Sequence, residues 1–437
     1  MTDYEKICDQ EIPNFRDLAL KQGNLSIALD GLFALEKQSR LAEQATATSR
    51  IALEIIELSY LTKNWKLLNE NLQILSKKRS QSKVVVQKIC QAAINLIDRT
   101  PDKETKIELI QTLRTVTEGK IHVEVERATV TLIYAKIKEE EGNVEEAAEM
   151  LQDLQVETFG AMTKKEKIEF ILEQIRLCLK INDFPKAMII SRKITRKSLE
   201  DDTIQELKIR FYELMSEYYS HYHNYLENCR AFYDIYNTEI VQKDDQKWKA
   251  AISYMIIYAI LSPHSVEQFD IANRIYQEKN NLEGISLKNL LKSFLTDEIC
   301  DWQLLTQKFA EELLHHPIFK EGEKGKEWET LRLRLIQHNI RIIEKYYSRI
   351  TLKRLGELLC LNTDEAERHL ADLVSSKTVF AKIDRLLGNV SFIKKKEPTQ
   401  IIQEWSTQIN TLSSLIESTS HLINKEIQKS STKQRNI

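Results

Sequence analysis

Residues 346–392 read YYSRITLKRLGELLCLNTDEAERHLADLVSSKTVFAKIDRLLGNVSF, and this stretch decides the fold of the C-terminal part of the chain. Thr351 is a residue type whose side chain accepts hydrogen bonds from the first N–H groups of a helix. Leu352, Leu355 and Leu359 follow at the i, i+3 and i+7 spacing of one apolar helix face. The sequence therefore predicts a short amphipathic helix after Thr351.

A second helix and a hairpin are predicted directly after the first helix. Asn362 and Glu365 have the spacing of a capping box. The apolar residues that then repeat at helical spacing are Ala366, Leu370, Leu373 and Val374. After Lys377 the apolar residues alternate with period two, and Gly388 marks the turn between two strands. Helix, turn, helix and hairpin, in this order, are the elements of a winged helix.

The charges of this module favour a protein partner over a nucleic acid. A helix that enters a DNA groove carries cations toward the phosphates. The second helix instead has more acidic than basic residues, namely Asp364, Glu365, Glu367 and Asp372 against Arg368 and Lys377. Protein docking is therefore the main prediction. Nucleic-acid binding through Lys394–Lys396 stays the alternative, with steep salt dependence as its signature.

The composition of the 437-residue chain is that of an almost entirely helical protein. Ten glycines and six prolines are few for this length, and 29% of the residues are charged. The net charge of −2 predicts neither a polyanionic partner nor a membrane. Six scattered cysteines without a closely spaced pair predict reduced thiols, and hence a location in the cytoplasm and nucleus.

An internal repeat organises the first half of the chain. Five polar turns interrupt the helical pattern, and their second residues are Asn24, Asn64, Asn143, Asp183 and Asn224. The intervals between them are 40, 79, 40 and 41 residues, and Thr100-Pro101-Asp102 falls near the middle of the long interval. Small residues lie four positions after three of these turns, at Ala28, Ala147 and Ala187. Helix pairs with a period of about 40 residues predict a right-handed helical-repeat (TPR-like) solenoid.

The last helix is expected to start near Pro398 and to carry a narrow apolar seam. The seam residues are spaced alternately by three and four positions: Ile402, Trp405, Ile409, Leu412, Ile416, Thr419 and Ile423. Such a seam is typical of a helix that packs against a partner helix. Helices of other chains are the preferred partners, and a partner within this chain is the alternative.

These patterns together predict an all-α chain with five parts. Residues 1–244 form the helical-repeat solenoid, and 245–345 are a further helical region that leads into the winged helix. Residues 346–397 form the winged helix with its small hairpin, 398–429 a long C-terminal helix for a bundle, and 430–437 a flexible tail.

The motifs that suggest chemistry are incomplete. His221 and His223, with Asp234, are spaced like the metal ligands of zinc-dependent deubiquitinating metalloproteases, but Ala231 stands where that pattern has serine. Two histidines two positions apart on a helix point about 200° from each other, so they do not bind one metal together. The prediction is a protein that is not an enzyme and has no cofactor or metal; a hydrolase that uses the histidines is the weaker alternative.

Several segments resemble PCI-domain proteins, the scaffold subunits of the proteasome lid, the COP9 signalosome and translation initiation factor three. The resemblance is carried by 346–355, by the wing at 377–388, by Trp405, and by 421–425. It is most specific between Phe380 and Gly388. The chain is similar to the PCI subunits of the proteasome lid over nearly its full length. A COP9 signalosome subunit is the alternative, against which Ala381-Lys382-Ile383-Asp384-Arg385 favours the proteasome.

The resemblance implies a non-catalytic scaffold in ubiquitin-dependent protein degradation. Its winged helix is expected to dock a neighbouring winged helix by sheet extension, through Phe380, Lys382, Asp384, Arg385, Val390 and Phe392. Its last helix is expected to enter a shared bundle through Ile402, Trp405, Ile409, Leu412, Ile416 and Ile423. The implied partners are other PCI subunits of the lid and the lid deubiquitinase. The solenoid is a further candidate contact for the ATPase ring or the core particle.

Overall fold

The computed structural model describes residues 4–21, 24–277, 286–319, 322, 325–393 and 398–435, without the side chains of 202 and 428–435. The chain divides into two compact units, residues 1–258 and 259–437. The boundary falls within one helix, Asp245–Leu261. Among the described helices, none is long and apolar enough to cross a membrane.

The first unit is built from pairs of antiparallel helices. Its helices are α1 (Tyr4–Lys21), α2 (Leu25–Leu41), α3 (Ala45–Leu61), α4 (Trp65–Lys77), α5 (Lys83–Ile97), α6 (Lys103–Thr117), α7 (Glu124–Glu140), α8 (Val144–Gln152), α9 (Lys164–Lys180), α10 (Phe184–Ser191), α11 (Gln205–His221), α12 (Tyr225–Tyr236), α13 (Glu239–Gln242) and α14 (Asp245–Leu261). Each pair packs on the next, as in α3 against α5 and α9 against α11. The helical-repeat fold predicted from the turn spacing is confirmed.

The same backbone turn recurs within successive pairs. Lys63, Asn182 and His223 have φ values of 55°, 63° and 52°, the left-handed conformation that ends a helix. In each turn the next residue's N–H reaches back to a carbonyl of the preceding helix, as in Asn64 N–H to Ser59 O at 3.2 Å. This is the Schellman geometry. The next helix begins one residue later, so the predicted starts after Asn64, Asn143, Asp183 and Asn224 are all confirmed.

The small residues of the repeat are buried, as expected of residues that let two paired helices approach. Ala28, Ala147 and Ala187 are buried. A larger side chain at these positions would hold the two helices of a pair apart, because protein interiors are close-packed and leave no room for added volume.

An ionic ladder links three successive repeats. Arg176 on α9 donates to Glu139 on α7 at 2.6 and 2.7 Å, and to its own neighbour Glu173 at 2.8 Å. Glu173 also pairs with Arg210 on α11. The carboxylates of Glu139 and Glu173 are mostly shielded from solvent. The ladder therefore contributes to the packing of neighbouring repeats.

The ladder predicts a loss of stability in acid. Hydrogen bonds from Arg176 and the neighbouring Lys180 lower the pKa of Glu139 from 4.5 to about 2. The stabilisation is therefore complete above pH 4.5 and is lost as the pH falls toward 2. We expect Glu139→Gln to lower the free energy of unfolding by about 1–2 kcal/mol at pH 7 and by much less at pH 3. Urea unfolding at both pH values measures this difference, with exposed Glu140→Gln as the control.

The second unit contains four helices, then the winged helix, and then the long C-terminal helix. The four are α15 (Val266–Gln277), α16 (Leu287–Leu295), α17 (Trp302–His315) and α18 (Lys326–Tyr346). Next come β1 (Arg349–Thr351), α19 (Leu352–Leu359), α20 (Thr363–Ser375), β2 (Lys382–Asp384), β3 (Asn389–Ser391) and α21 (Pro398–Arg435). The all-α architecture with a small hairpin wing is confirmed.

The sheet of the winged helix has three strands, in the order β1-β3-β2, and both pairings are antiparallel. Val390 in β3 lies opposite Ile350 on one side and Ile383 on the other. The sequence predicted β2 and β3 but missed β1. Gly388 has a φ of +63° in the turn before β3, a conformation that L side chains rarely adopt.

The predicted helix caps are confirmed in one of two cases. Thr351 accepts a hydrogen bond from the Arg354 N–H at 3.3 Å, as expected. Asn362 does precede α20, but its side chain makes no capping hydrogen bond, so the predicted capping box with Glu365 is wrong. Gly356 lets the turn between α19 and α20 pack closely against α19. A Cβ at this position would lie 2.9 Å from the Leu361 carbonyl oxygen, which is too close.

The C-terminal helix is longer than predicted. It begins at Pro398, as expected, and runs to Arg435. Residues 430–435, predicted to belong to a flexible tail, are therefore helical. The last two residues of that predicted tail lie outside the described part of the chain.

Candidate functional site

The core of the winged helix is shared between its own helices and α18. Leu355 and Leu359 from α19 meet Leu370 and Leu373 from α20 in this core. Ile336, Ile340 and Ile343 of α18 close it from one side. Since this apolar face is covered within the chain, the surfaces left for a partner are the strand edges, the wing tip and α21.

Two of the six wing residues predicted to contact a partner lie inside this core. Val390 and Phe392 are buried among the residues of α18, α19 and α20. Their side chains hold the sheet against the helices and are not available to another chain. The prediction of these two as surface contacts therefore needs correction, because the alternating face they share is the inner one.

Two of the predicted wing charges act within the wing. Asp384 Oδ1 accepts hydrogen bonds from the N–H groups of Leu386 and Leu387, at 3.1 and 3.2 Å. Arg385 Nε pairs with Glu367 Oε1 of α20 at 2.6 Å, although the arginine side chain is largely exposed. These contacts fix the turn of the wing and tie it to the second helix.

The remaining predicted wing residues lie toward the surface. Lys382 is exposed at the start of β2, where its backbone lies opposite Ser391 of β3. The Phe380 ring is half-buried, and the backbone N–H of Phe380 donates to Glu344 Oε1 at 2.9 Å. Within the described chain, β2 pairs only with β3, so its outer edge presents free backbone groups of the kind to which another strand can add.

The wing tip carries an apolar pair that the prediction did not include. Leu386 is 99% exposed and Leu387 is 72% exposed. Large apolar side chains at a turn are unusual, because turns are dominated by Gly, Pro, Asn, Asp and Ser. The two adjacent leucines in the turn were the available signal in the sequence.

The apolar stripe of α21 is uncovered. The six seam residues predicted to enter a bundle are between 55% and 68% exposed. Four more large residues widen the seam: Ile401, Leu415, Leu422 and Ile427. The stripe is therefore broader than the predicted heptad seam, and broad enough to face more than one helix.

The histidines considered as metal ligands are engaged in contacts of the repeat. The His221 ring stacks on Phe184 with 3.7 Å between ring centroids. His223 occupies the left-handed turn position, and its Nδ1 lies 3.3 Å from the Tyr225 hydroxyl. Within the described ranges, no group of three or more His, Cys, Asp or Glu residues is placed to hold a metal.

Family models match three successive parts of the chain. Residues 27–244 match the model described as PSMD12/CSN4, N-terminal. Residues 298–394 match the PCI domain, and 400–427 match the 26S proteasome regulatory subunit RPN5 C-terminal domain. The third match coincides with the exposed stripe of α21.

Curated relatives align over nearly the whole chain. The 26S proteasome non-ATPase regulatory subunit 12 of Dictyostelium discoideum is 43% identical, over 97% of this chain and 94% of the relative. The 26S proteasome non-ATPase regulatory subunit 12 homolog A of Arabidopsis thaliana is 44% identical, over 92% of this chain and 97% of the relative. The 26S proteasome regulatory subunit RPN5 of Saccharomyces cerevisiae is 39% identical, over 97% of this chain and 96% of the relative. COP9 signalosome complex subunit 4 of Caenorhabditis elegans is 23% identical over 64% of the chain and 66% of its own.

Proposed function

The chain belongs to the family of 26S proteasome non-ATPase regulatory subunit 12 and RPN5, and we propose that it is a structural subunit of the lid of the proteasome regulatory particle. In this role it has no catalytic activity of its own. It positions other subunits during ubiquitin-dependent protein degradation. The identity of 39–44% with relatives that carry these names supports the proposal.

The uncovered stripe of α21 is the observation that carries a scaffold role. A helix of 38 residues is about 57 Å long, and its large apolar side chains lie in water in the free chain. Burying one such side chain stabilises an assembly by about 1.5–3 kcal/mol. Several helices around the stripe would bury it completely, so α21 is well suited to a helical bundle built by several subunits.

The wing is proposed as the second contact. The outer edge of β2 and the exposed Lys382 face away from the winged-helix core, as does the apolar tip at Leu386 and Leu387. An edge strand adds backbone hydrogen bonds to a neighbouring sheet, and side chains beside it give selectivity. Phe380, Asp384 and Arg385 shape this edge from within the wing.

The proposed partners are the other PCI subunits of the lid and the lid deubiquitinase. The solenoid of the first unit is proposed to reach the ATPase ring or the core particle. We also propose that the protein is located in the cytoplasm and nucleus, as the sequence predicts. The six described cysteines are free thiols, which agrees with a reducing compartment.

Affinity purification of the tagged full-length chain, followed by mass spectrometry, tests the proposed function. We expect lid subunits in stoichiometric amounts, with proteasome ATPases beside them. Recovery of COP9 signalosome subunits instead would assign the chain to the other complex. A chain that purifies alone and binds DNA or RNA with steep salt dependence would contradict the scaffold role.

A further inference from the structure

One edge of the solenoid consists of the loops that join successive helix pairs. Hydrogen bonds connect three of these loops. Arg40 Nη1 donates to the Arg79 carbonyl oxygen at 2.5 Å, and Lys120 Nζ donates to the Ser76 carbonyl oxygen at 3.2 Å. The loops therefore form one continuous surface. We call it the loop edge, and its three segments are 40–44 at the end of α2, 77–84 between α4 and α5, and 118–124 between α6 and α7.

Basic residues outnumber acidic residues on the loop edge. The second segment, 77–84, has four cations and no carboxylate, and no Asp or Glu occurs between Glu70 and Asp98. The three segments together have six cations and three carboxylates. The cations are Arg40, Lys77, Lys78, Arg79, Lys83 and Lys120, and the carboxylates are Glu43, Glu118 and Glu124.

Two of the six cations are paired with a carboxylate of the described chain. The buried Glu36 accepts from Lys78 at 2.7 Å and from Arg40 at 3.2 Å. The other four form no ion pair with a described residue, and they are Lys77, Arg79, Lys83 and Lys120. The loop edge therefore keeps unpaired positive charge in the free chain.

Lys83 occupies a position that is unfavourable for α5 itself. It lies in the first turn of this helix, where the helix dipole favours a carboxylate and disfavours a cation. The same turn contains no acidic residue. Lys120 is close by, because burial, Lys120 and Lys83 all lower the pKa of His122, while Glu126 acts in the opposite direction. A cation that breaks a local rule of helix stability is expected where a binding surface needs it.

The loop edge also exposes one large aliphatic side chain in each segment. Leu41 is 68% exposed, Val84 is 51% exposed and Ile121 is 80% exposed. Each of the three directly follows a basic residue in the sequence. Exposed apolar side chains that are surrounded by charged ones are typical of surfaces that bind other proteins. This combination favours a protein over a nucleic acid as the partner.

A groove of about 340 Å³ adjoins the third segment, between that segment and the loop after α8. Its apolar lining residues are Ile121, Leu154 and Phe159. An apolar side chain of a partner fits this groove, whereas acidic side chains are favoured beside the second segment. The charged residues of the groove are balanced, with Lys120 and Arg127 against Glu124 and Asp153.

We propose that the loop edge binds an extended acidic segment of another protein, with its carboxylates at residues 77–84 and one large apolar side chain in the groove. Exposed ion pairs of this kind orient the partner and speed its association, and the apolar contact adds affinity. The surface includes no residue of α21 or of the wing. Binding of the segment by the free chain can therefore succeed or fail independently of incorporation into the lid.

Fluorescence anisotropy of the full-length chain with the labelled peptide EEDEEDGSLFG, at physiological ionic strength, tests this surface. We expect saturable binding of one peptide per chain. The double variant Lys77→Glu, Arg79→Glu should weaken it at least tenfold, and Ile121→Ser at least threefold. The matched control is Lys66→Glu, which reverses an exposed charge at the other end of α4, about 16 Å along the helix. The control should bind within twofold of the unchanged chain.

Three further probes define the chemistry of the partner. The peptide QQNQQNGSLFG keeps the apolar residues without the charge, and EEDEEDGSGSG keeps the charge without the apolar residues. A twelve-nucleotide oligothymidylate offers phosphates instead of carboxylates. Each should bind at least tenfold more weakly than EEDEEDGSLFG.

Lys83→Glu separates binding from folding. The carboxylate would lie in the first turn of α5, so the melting temperature should stay the same or rise. Binding of EEDEEDGSLFG should nevertheless weaken at least threefold. A fall in melting temperature would assign Lys83 to the fold instead of the binding surface.

Several results would overturn the proposal. Absence of saturable binding, or equal binding by the double variant, would show that the loop edge does not bind an acidic segment. Equal binding of QQNQQNGSLFG or EEDEEDGSGSG would remove the need for the carboxylates or for the groove. Oligothymidylate that binds as tightly as the peptide would assign the surface to a nucleic acid.

Discussion

Ile409→Asp in the full-length chain is expected to abolish incorporation into the proteasome lid while leaving the free chain as stable as before. Ile409 is 55% exposed in the free chain, so the new carboxylate stays in water and costs little. In a helical bundle the same carboxylate would be buried without a partner, at about 3–5 kcal/mol. Leu412→Asp, one helical turn away, should act in the same way. Co-purification of lid subunits measures incorporation, and thermal unfolding measures stability.

The matched control lies on the opposite face of the same helix. Ser414→Asp introduces the same charge between Leu412 and Ile416 in sequence, but about half a turn away from the stripe. It should assemble normally. Normal assembly of Ile409→Asp would show that the stripe is not an assembly surface. Failure of Ser414→Asp as well would point to a general effect of charge on α21.

Val390→Asp, unlike Ile409→Asp, is expected to lower the stability of the free chain, by about 3–5 kcal/mol. Val390 is fully buried at the centre of the three-stranded sheet, opposite Ile350 and Ile383. A carboxylate there has no hydrogen-bond donor positioned by the surrounding apolar residues. Urea unfolding followed by near-ultraviolet circular dichroism measures the loss, because the aromatic residues of the second unit report its packing.

Lys382→Asp is the control for this experiment. Lys382 lies in β2 beside the same sheet but is exposed, so stability should change by less than about 0.5 kcal/mol. Equal stability of Val390→Asp and the unchanged chain would mean that the wing is not packed against α18, α19 and α20. A large loss from Lys382→Asp would contradict its placement at the surface.

The repeat was predictable because each turn has a local chemical signature. A Schellman turn needs one residue in the left-handed conformation and a polar residue before the next helix. Gly142-Asn143, Asn182-Asp183 and His223-Asn224 supply this pair, and the structure places a helix start after each. Lys63 shows that a residue without special propensity takes the same conformation when the neighbouring helices require it.

The strand β1 was not predictable from local pattern. It has three residues, too few to show alternation, and it pairs with β3 about 40 residues later. It is a strand because β3 supplies its hydrogen-bonding partners, and no residue near β1 in sequence does so. The capping box was also predicted from local pattern alone. Asn362 and Glu365 have the right spacing, but the Asn362 side chain makes no capping hydrogen bond in the folded chain.

The stripe of α21 could be predicted from the sequence, but which face of the wing is exposed could not. Alternation placed Val390 and Phe392 on one face of the wing, but it does not tell whether that face meets the chain's own helices or another chain. The isoleucines of α18 decide the question, and they lie about 50 residues earlier. The stripe of α21 was visible in sequence because its spacing persists over many turns. Its proposed partners leave no mark on the sequence of this chain.

Hydrogen–deuterium exchange of residues 398–427, compared between the free chain and the assembled lid, tests the scaffold role most directly. In the free chain α21 is a single exposed helix, so its amides should exchange rapidly. Burial of the stripe in a bundle should slow exchange at least a hundredfold along the helix, with the largest change around Ile409 and Leu412. Equal exchange rates in the free chain and in the lid would contradict the proposal that α21 holds this subunit in the assembly.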